Sequence, residues 1–176
     1  MNYFRPKNFS HYKKIKKLYK KAFPKNERKP FSIIKAMQKK GKTDIWYFED
    51  DSKFIGLVIT INSDDIILID YLAVSENCRS NGYGTRILDC MSEHYSPKGI
   101  FLEIEIPYKS AANYNERIRR KSFYINAGFT PMNTYAKLFG VDMELMGKGC
   151  SLDYEGYKNF YLNNYGRFAY DNISKI

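Results

Sequence analysis

The chain has 176 residues, 44% hydrophobic and 27% charged, enough for one core and too few for two ordinary domains. Its apolar runs fall short of the roughly 18 to 20 residues that cross a membrane, and its lysine-rich first thirty residues hold no apolar stretch with a secretory cleavage site. Three cysteines without a C-x-x-C pair, beside two histidines, support neither a disulfide framework nor zinc-ligand spacing; no metal is expected, and the default location is cytoplasmic. The net charge of +10 is uneven, because residues 1–42 hold fifteen Lys or Arg against the single acid Glu27, while the rest hold fourteen against eighteen. Such polarity suits an anionic partner, although 21 lysines against 8 arginines, with abundant Asn, Ile and Tyr, is also what AT-rich coding produces.

Over residues 11–23, Ile15, Leu18, Tyr19, Ala22 and Phe23 recur at helical spacing with lysines on the other face, so an amphipathic helix is predicted, ended by Pro24. Pro30 opens a second helix through Phe31, Ile34 and Met37, closed by Gly41. The period then changes. Segments 44–49, 54–61 and 66–74 are rich in β-branched and aromatic residues, are separated by polar turns, and read as an antiparallel meander. A helix with Ile87, Leu88 and Met91 on one side follows, then a turn at Pro97-Lys98-Gly99 and a strictly alternating strand over 100–106. A basic helix around 117–127 stops at Gly128, two strands flank Gly140, and Ser151 is the expected cap of a tyrosine-rich extension at about 151–166. One α+β domain spanning 1–176, a sheet with helices packed on it, is the expectation.

Between the third meander strand and the next helix stands CRSNGYGTRIL, residues 78–88. Free amides of such a loop and the helix dipole make a site for anionic oxygens. Gly82 and Gly84 let backbone approach a ligand, and Arg79 adds positive charge. Ile87 stands where a dinucleotide fingerprint needs its third glycine, and no Lys-Ser or Lys-Thr follows as in a P-loop.

DYLAVSENCRSNGYGTRIL resembles the acetyl-CoA-binding motif of the GNAT N-acetyltransferases, Arg or Gln, two residues, Gly, any residue, Gly or Ala, after a strand with an apolar-Ala-Val step. SFYINAGF, residues 122–129, is similar to the family's helix-to-strand signature, one helix and one strand later. The resemblance covers roughly residues 1–148. It implies a GNAT fold, a mostly antiparallel mixed sheet splayed between the fourth and fifth strands, here 66–74 and 100–106, with acetyl-CoA in the opening. Pantetheine would pair with the backbone of Leu72, Ala73 and Val74. Pyrophosphate would accept from amides of Arg79, Ser80, Asn81, Gly82, Tyr83, Gly84 and Thr85. Ser80 and Asn81 replace the commoner Gly and basic residue. Asn113, or alternatively Asn115, falls where relatives carry an Asn that contacts the acyl donor.

Acyl transfer to an amine needs a proton acceptor, since a lysine-like amine has a reference pKa of about 10.4. Glu103 and Glu105 share one face of the FLEIEI strand, opposite Leu102 and Ile104; either could act directly or through water, or both could be solvated. The resemblance favours Glu103 as base and Tyr124 as the acid that protonates the departing thiolate. Asp70 and Tyr71 are candidates for the acceptor side, and Arg117, Arg119, Arg120 and Lys121 for phosphate or solvent.

The function expected is acetyl transfer from acetyl-CoA to a primary amine by direct attack in a ternary complex, by a monomer or homodimer, with the acceptor unspecified. The alternatives are a basic nucleic-acid- or ribosome-associated module and an inert acyl-CoA sensor. Without an RNA-reading fingerprint, tight specific nucleic-acid binding is not expected.

Overall fold

The structure, a computed structural model, describes residues 1–25 and 27–176. The chain divides into two compact units, residues 1–62 with 69–91, and residues 63–68 with 92–176.

In the first unit, β1 (Asn2–Phe4) pairs antiparallel with β2 (Thr43–Asp50), which pairs antiparallel with β3 (Lys53–Asn62). The turn between β2 and β3 places Asp51 and Ser52 at φ 46° and 61°, the left-handed pair that matches the twist of a two-residue hairpin. The second half of β4 (Ile66–Val74) follows β3 in strand order.

Helix α1 (Phe9–Ala22) begins where the Asn8 side chain accepts from the His11 N–H at 3.0 Å, a standard N-cap that occupies an otherwise orphaned donor. It buries Ile15, Leu18 and Tyr19, the predicted face, with Ile34 of α2 (Phe31–Lys39) against Ile45, Tyr47, Leu57, Ile59, Tyr71 and Ala73. Burial of each such aliphatic side chain stabilises by about 1.5–3 kcal/mol, which outweighs the weak intrinsic stability of helices this short. Helix α3 (Tyr83–Tyr95) leaves this unit after Met91, having buried Ile87, Leu88 and Met91.

In the second unit, the start of β4 pairs parallel with β5 (Gly99–Glu105) over three residue pairs, Ile66↔Gly99 to Leu68↔Phe101. On its other side β5 pairs antiparallel with β7 (Val141–Lys148), and β7 with β6 (Thr130–Leu138). Helices α4 (Tyr114–Asn126), α5 (Tyr154–Tyr165) and α6 (Arg167–Asp171) and a two-residue β8 (Ile173–Ser174), paired with β6, complete it. The class is α+β, mostly antiparallel with one parallel pair, as expected.

Three elements, β1, α6 and β8, escape sequence reading because two to five residues are too few for a period to show. Counting β1 makes 66–74 and Gly99–Glu105 the fourth and fifth strands, the numbering that the resemblance implies. The cap of α5 is not Ser151 but Asp153, whose carboxylate accepts from the Gly156 N–H at 2.8 Å. Gly128 stops α4 at φ 84° as expected.

Candidate active site

The glycine corner lies in the first unit. After Val74 the chain makes a short 3₁₀ turn over Glu76–Cys78, and Cys78 is buried under it. The Arg79 N–H donates to the Glu76 carbonyl at 3.1 Å and its Nε to the Val74 carbonyl at 3.2 Å. This corrects the expectation for Arg79: its amide is spent inside the turn, so it can offer a ligand only the outer edge of its guanidinium.

Ser80 and Gly82 take φ 62° and 73°. The left-handed region costs a residue with a side chain about 1–2 kcal/mol, so Ser80 carries a strain that a glycine there would not. Within α3 the Arg86 N–H is bonded to Gly82 O, at 3.2 Å. The amides of Tyr83, Gly84 and Thr85 belong to the first turn, where helix geometry supplies no acceptor, and they carry the positive end of the helix dipole.

This end of α3 is fixed from the side. The Tyr83 hydroxyl donates to Asp50 Oδ2 at 3.0 Å, Arg86 reaches the same oxygen at 3.5 Å, and the N-terminal ammonium sits 2.9 Å from Oδ1. Hydrogen bonds from the ammonium and Tyr83 hold the Asp50 carboxyl below the usual range, and the bond to Asp50 pushes the Tyr83 hydroxyl up. Of the strand residues before the corner, Leu72 and Val74 are half-buried and Ala73 is buried. A side chain on Gly56 of β3 would meet the Ala73 carbonyl at 2.5 Å and Ile87 at 3.3 Å, so that glycine permits β3, β4 and α3 to close together.

Asp70 and Tyr71 do not present free groups. Asp70 takes both its carboxylate oxygens to Lys29 Nζ, at 2.7 and 2.9 Å. The Tyr71 hydroxyl accepts from the Lys29 N–H at 3.1 Å and donates to the Glu27 carbonyl at 3.0 Å. Burial and the Asp70 charge push that phenol far above its ordinary value. Together they fasten the connection between α1 and α2 to β4.

The proton-handling candidates lie in the second unit. Glu103 Oε1 accepts hydrogen bonds from Tyr157 and Tyr161 of α5, each at 2.7 Å, and Phe101, two residues earlier on the same strand face, packs edge-on against Phe160 at 4.9 Å. Glu105 is neutralised by Arg117 at 2.6 Å and Arg120 at 3.4 Å. Glu144, paired in register with Ile104 and therefore on the face opposite Glu103, binds Lys121 through both oxygens at 2.8 and 2.7 Å. Three of the four α4 cations are thus committed to carboxylates, which decides between the phosphate and solvent readings for them against both; Arg119 is exposed.

Tyr124 packs on Phe123 and Phe129, with centroids 5.0 and 5.9 Å apart, and desolvation pushes its hydroxyl above the usual tyrosine value. No hydrogen bond to that hydroxyl exists among the described residues, which leaves it uncommitted. Lys121, three residues before Tyr124 on α4, binds Glu144 on the sheet face opposite Glu103, whereas Glu103 itself is held by the tyrosines of α5. Asn113 stands at the start of α4 without capping it; its Oδ1 accepts from Arg117 Nε at 2.8 Å, while Asn115 is exposed.

A family model for the GNAT acetyltransferase domain matches residues 41–131, slightly more than half of the chain and inclusive of both motifs. This chain belongs to the GNAT acetyltransferases. It is an N-acetyltransferase by that membership, and its fold is the GNAT fold. Among solved structures it is similar to a GNAT-family acetyltransferase from Bacteroides thetaiotaomicron, with 25% identity and a TM-score of 0.81 over 95% of this chain and 99% of that one. An aminoglycoside 6'-N-acetyltransferase complexed with coenzyme A is similar at 14% identity and TM-score 0.64, over 84% and 96% of the two chains. A chimeric spermidine N-acetyltransferase from Vibrio cholerae shows 16% identity and TM-score 0.61, over 84% and 95%. No curated protein matches the sequence.

Sequence reading of this GNAT chain missed Asp50, Gly56, Tyr157 and Tyr161. Each acts on a partner from seventeen to nearly sixty positions away, so no local spacing signals it. Among the described residues no group of three His, Cys, Asp or Glu could hold a metal, and no helix is long and apolar enough to cross a membrane.

Proposed function

We infer that this protein transfers the acetyl group of acetyl-CoA to a primary amine by direct attack in a ternary complex. The observation that carries the donor assignment is the corner itself: first-turn amides of Tyr83, Gly84 and Thr85 without intrahelical acceptors, behind left-handed Ser80 and Gly82. Pyrophosphate oxygens suit such donors, and that an aminoglycoside-acetylating structural neighbour holds coenzyme A supports the same ligand here. Leu72, Ala73 and Val74 would pair with pantetheine, Asn81 and Arg79 would flank the phosphates, and Asn113 would contact the donor through its amide nitrogen.

In the reaction the neutral amine attacks the thioester carbonyl carbon, the carbon–sulfur bond breaks, and the sulfur takes a proton. Tyr124 is the assigned donor of that proton, supported by an uncommitted hydroxyl that desolvation keeps protonated. The amine's proton is assigned to Glu103, relayed by water. Glu105 is the weaker candidate because two arginines already neutralise it. We read the chain as one cytoplasmic acetyltransferase domain, monomeric or homodimeric, with the segment at about 151–166 as its extension.

The test begins with thermal stabilisation by acetyl-CoA and continues with thiol release over a panel of amines. Gly84→Val places bulk at the phosphate-facing turn without straining a helical position. It should stay folded and lose the stabilisation; normal binding by that variant would overturn the loop assignment. Binding by the wild type without turnover on any amine would favour the sensor.

A further inference from the structure

Lys13, Lys16, Lys17 and Lys20 of α1 and Lys35 of α2 converge with Phe9 and Tyr12 on one open groove of about 620 Å³. Among the described residues none of the five is ion-paired; the α1 lysine that is, Lys21, reaches away to Glu76. The only acid in residues 1–42 is Glu27. At a rise of 1.5 Å per residue the α1 lysines span roughly 10 Å, about one Debye length at physiological salt, so their charges add. An anion laid along the groove relieves that repulsion.

We propose that this groove binds the sugar–phosphate backbone of a single-stranded nucleic acid, without base selectivity. Sites of that kind join a basic groove with aromatic faces on which bases stack. Phe9 supplies such a face, being 82% exposed beside the lysines. Tyr12 is the groove's other ring, but Lys35 Nζ already sits 3.6 Å over it, which leaves Phe9 as the platform. The lining holds no Arg, Asn or Gln to read a base edge, and lysines act on phosphates as point charges. A bilayer is a poorer occupant, because a surface-bound amphipathic helix inserts its apolar face, whereas Ile15, Leu18 and Tyr19 of α1 are already buried. An acidic protein is poorer too, since lysine is depleted from protein interfaces.

The experiment is an anisotropy titration of fluorescein-labelled oligothymidylate and oligouridylate of about twelve nucleotides, repeated from low to physiological salt, with the whole chain. The expected result is equal binding of both sequences, weakening with a log–log salt slope of roughly −0.7 per phosphate contacted. Lys13→Gln/Lys17→Gln/Lys20→Gln, which leaves the ring-packed Lys16 and Lys35 in place, should flatten that slope by about 2. Phe9→Ala should weaken binding by at least about fivefold with the slope unchanged. Circular dichroism checks that both variants fold, and acetyl-CoA stabilisation should be intact in both, which separates this site from the acyl-donor corner. Absence of binding at low salt, an unchanged slope in the triple variant, or capture by phosphatidylserine vesicles with none by the oligonucleotides would overturn the proposal.

Discussion

Tyr157, a residue with 0% exposure, donates its hydroxyl to Glu103 Oε1 at 2.7 Å. Tyr161, one helical turn on, donates to the same oxygen at 2.7 Å. A carboxylate on β5 thereby anchors α5, a helix beyond the family match. Hydrogen bonds to charged groups contribute about 1.5–3 kcal/mol, so Tyr157→Phe and Tyr161→Phe should each lower unfolding free energy by about that amount in urea titrations. Glu103→Gln keeps an accepting oxygen and should remain folded. Its acetyl-transfer rate should fall and recover toward higher pH, as more of the acceptor amine becomes neutral. Glu105→Gln is the control, expected to lose stability through its arginine pairs while turnover persists.

Tyr124→Phe removes one hydroxyl and keeps the ring packing against Phe123 and Phe129. General acid assistance is worth about 10² to 10⁴ in rate, so kcat should drop at least roughly tenfold with acetyl-CoA affinity unchanged. Because desolvation raises this phenol, the wild-type alkaline fall in kcat should lie above the ordinary tyrosine value of about 10 and be missing from the variant. A variant with normal turnover would remove Tyr124 from the mechanism and leave the acetyltransferase standing.

Lys121→Met should cost about 3–5 kcal/mol, because it strands the Glu144 carboxylate, whose side chain is 2% exposed, without its cation. Pairing it with Glu144→Leu should restore most of the loss, since well-packed apolar replacements of a buried pair are often neutral. Thermal and chemical denaturation of the two single variants and the double variant measure this. An undiminished melting temperature in Lys121→Met would show that the pair contributes nothing.

Five tyrosines, Tyr19, Tyr71, Tyr83, Tyr108 and Tyr124, hold their protons more tightly than a free phenol. A folded-state value above the unfolded one gives stability that is complete below about pH 10 and is lost as pH rises toward the folded value. The melting temperature should therefore be flat through neutrality and fall steeply above about pH 10, with tyrosinate absorbance appearing at unfolding. Tyr71→Phe removes the phenol that joins Glu27 O and the Lys29 N–H. It should cost about 1–3 kcal/mol at neutral pH and make the alkaline fall shallower.

Residues close in the chain determined most of the architecture on their own. The spacing of Ile15, Leu18 and Tyr19 fixed the buried face of α1, alternation fixed β5, and glycine at 128 fixed the end of α4, because side-chain period and backbone freedom are local properties. The glycine corner was legible for the same reason: a helix start with unpaired amides needs only adjacent residues. What Asp70, Glu103 and Glu105 are bonded to was not legible: the partner of Asp70 lies 41 positions away, and Glu103 and Glu105 alternate identically in sequence. Only tertiary structure gave one of them two tyrosines from α5 and the other two arginines from α4. The chain must close on itself before a carboxylate's charge has a partner, and the interaction that then settles its role joins residues whose separation in sequence carries no signal.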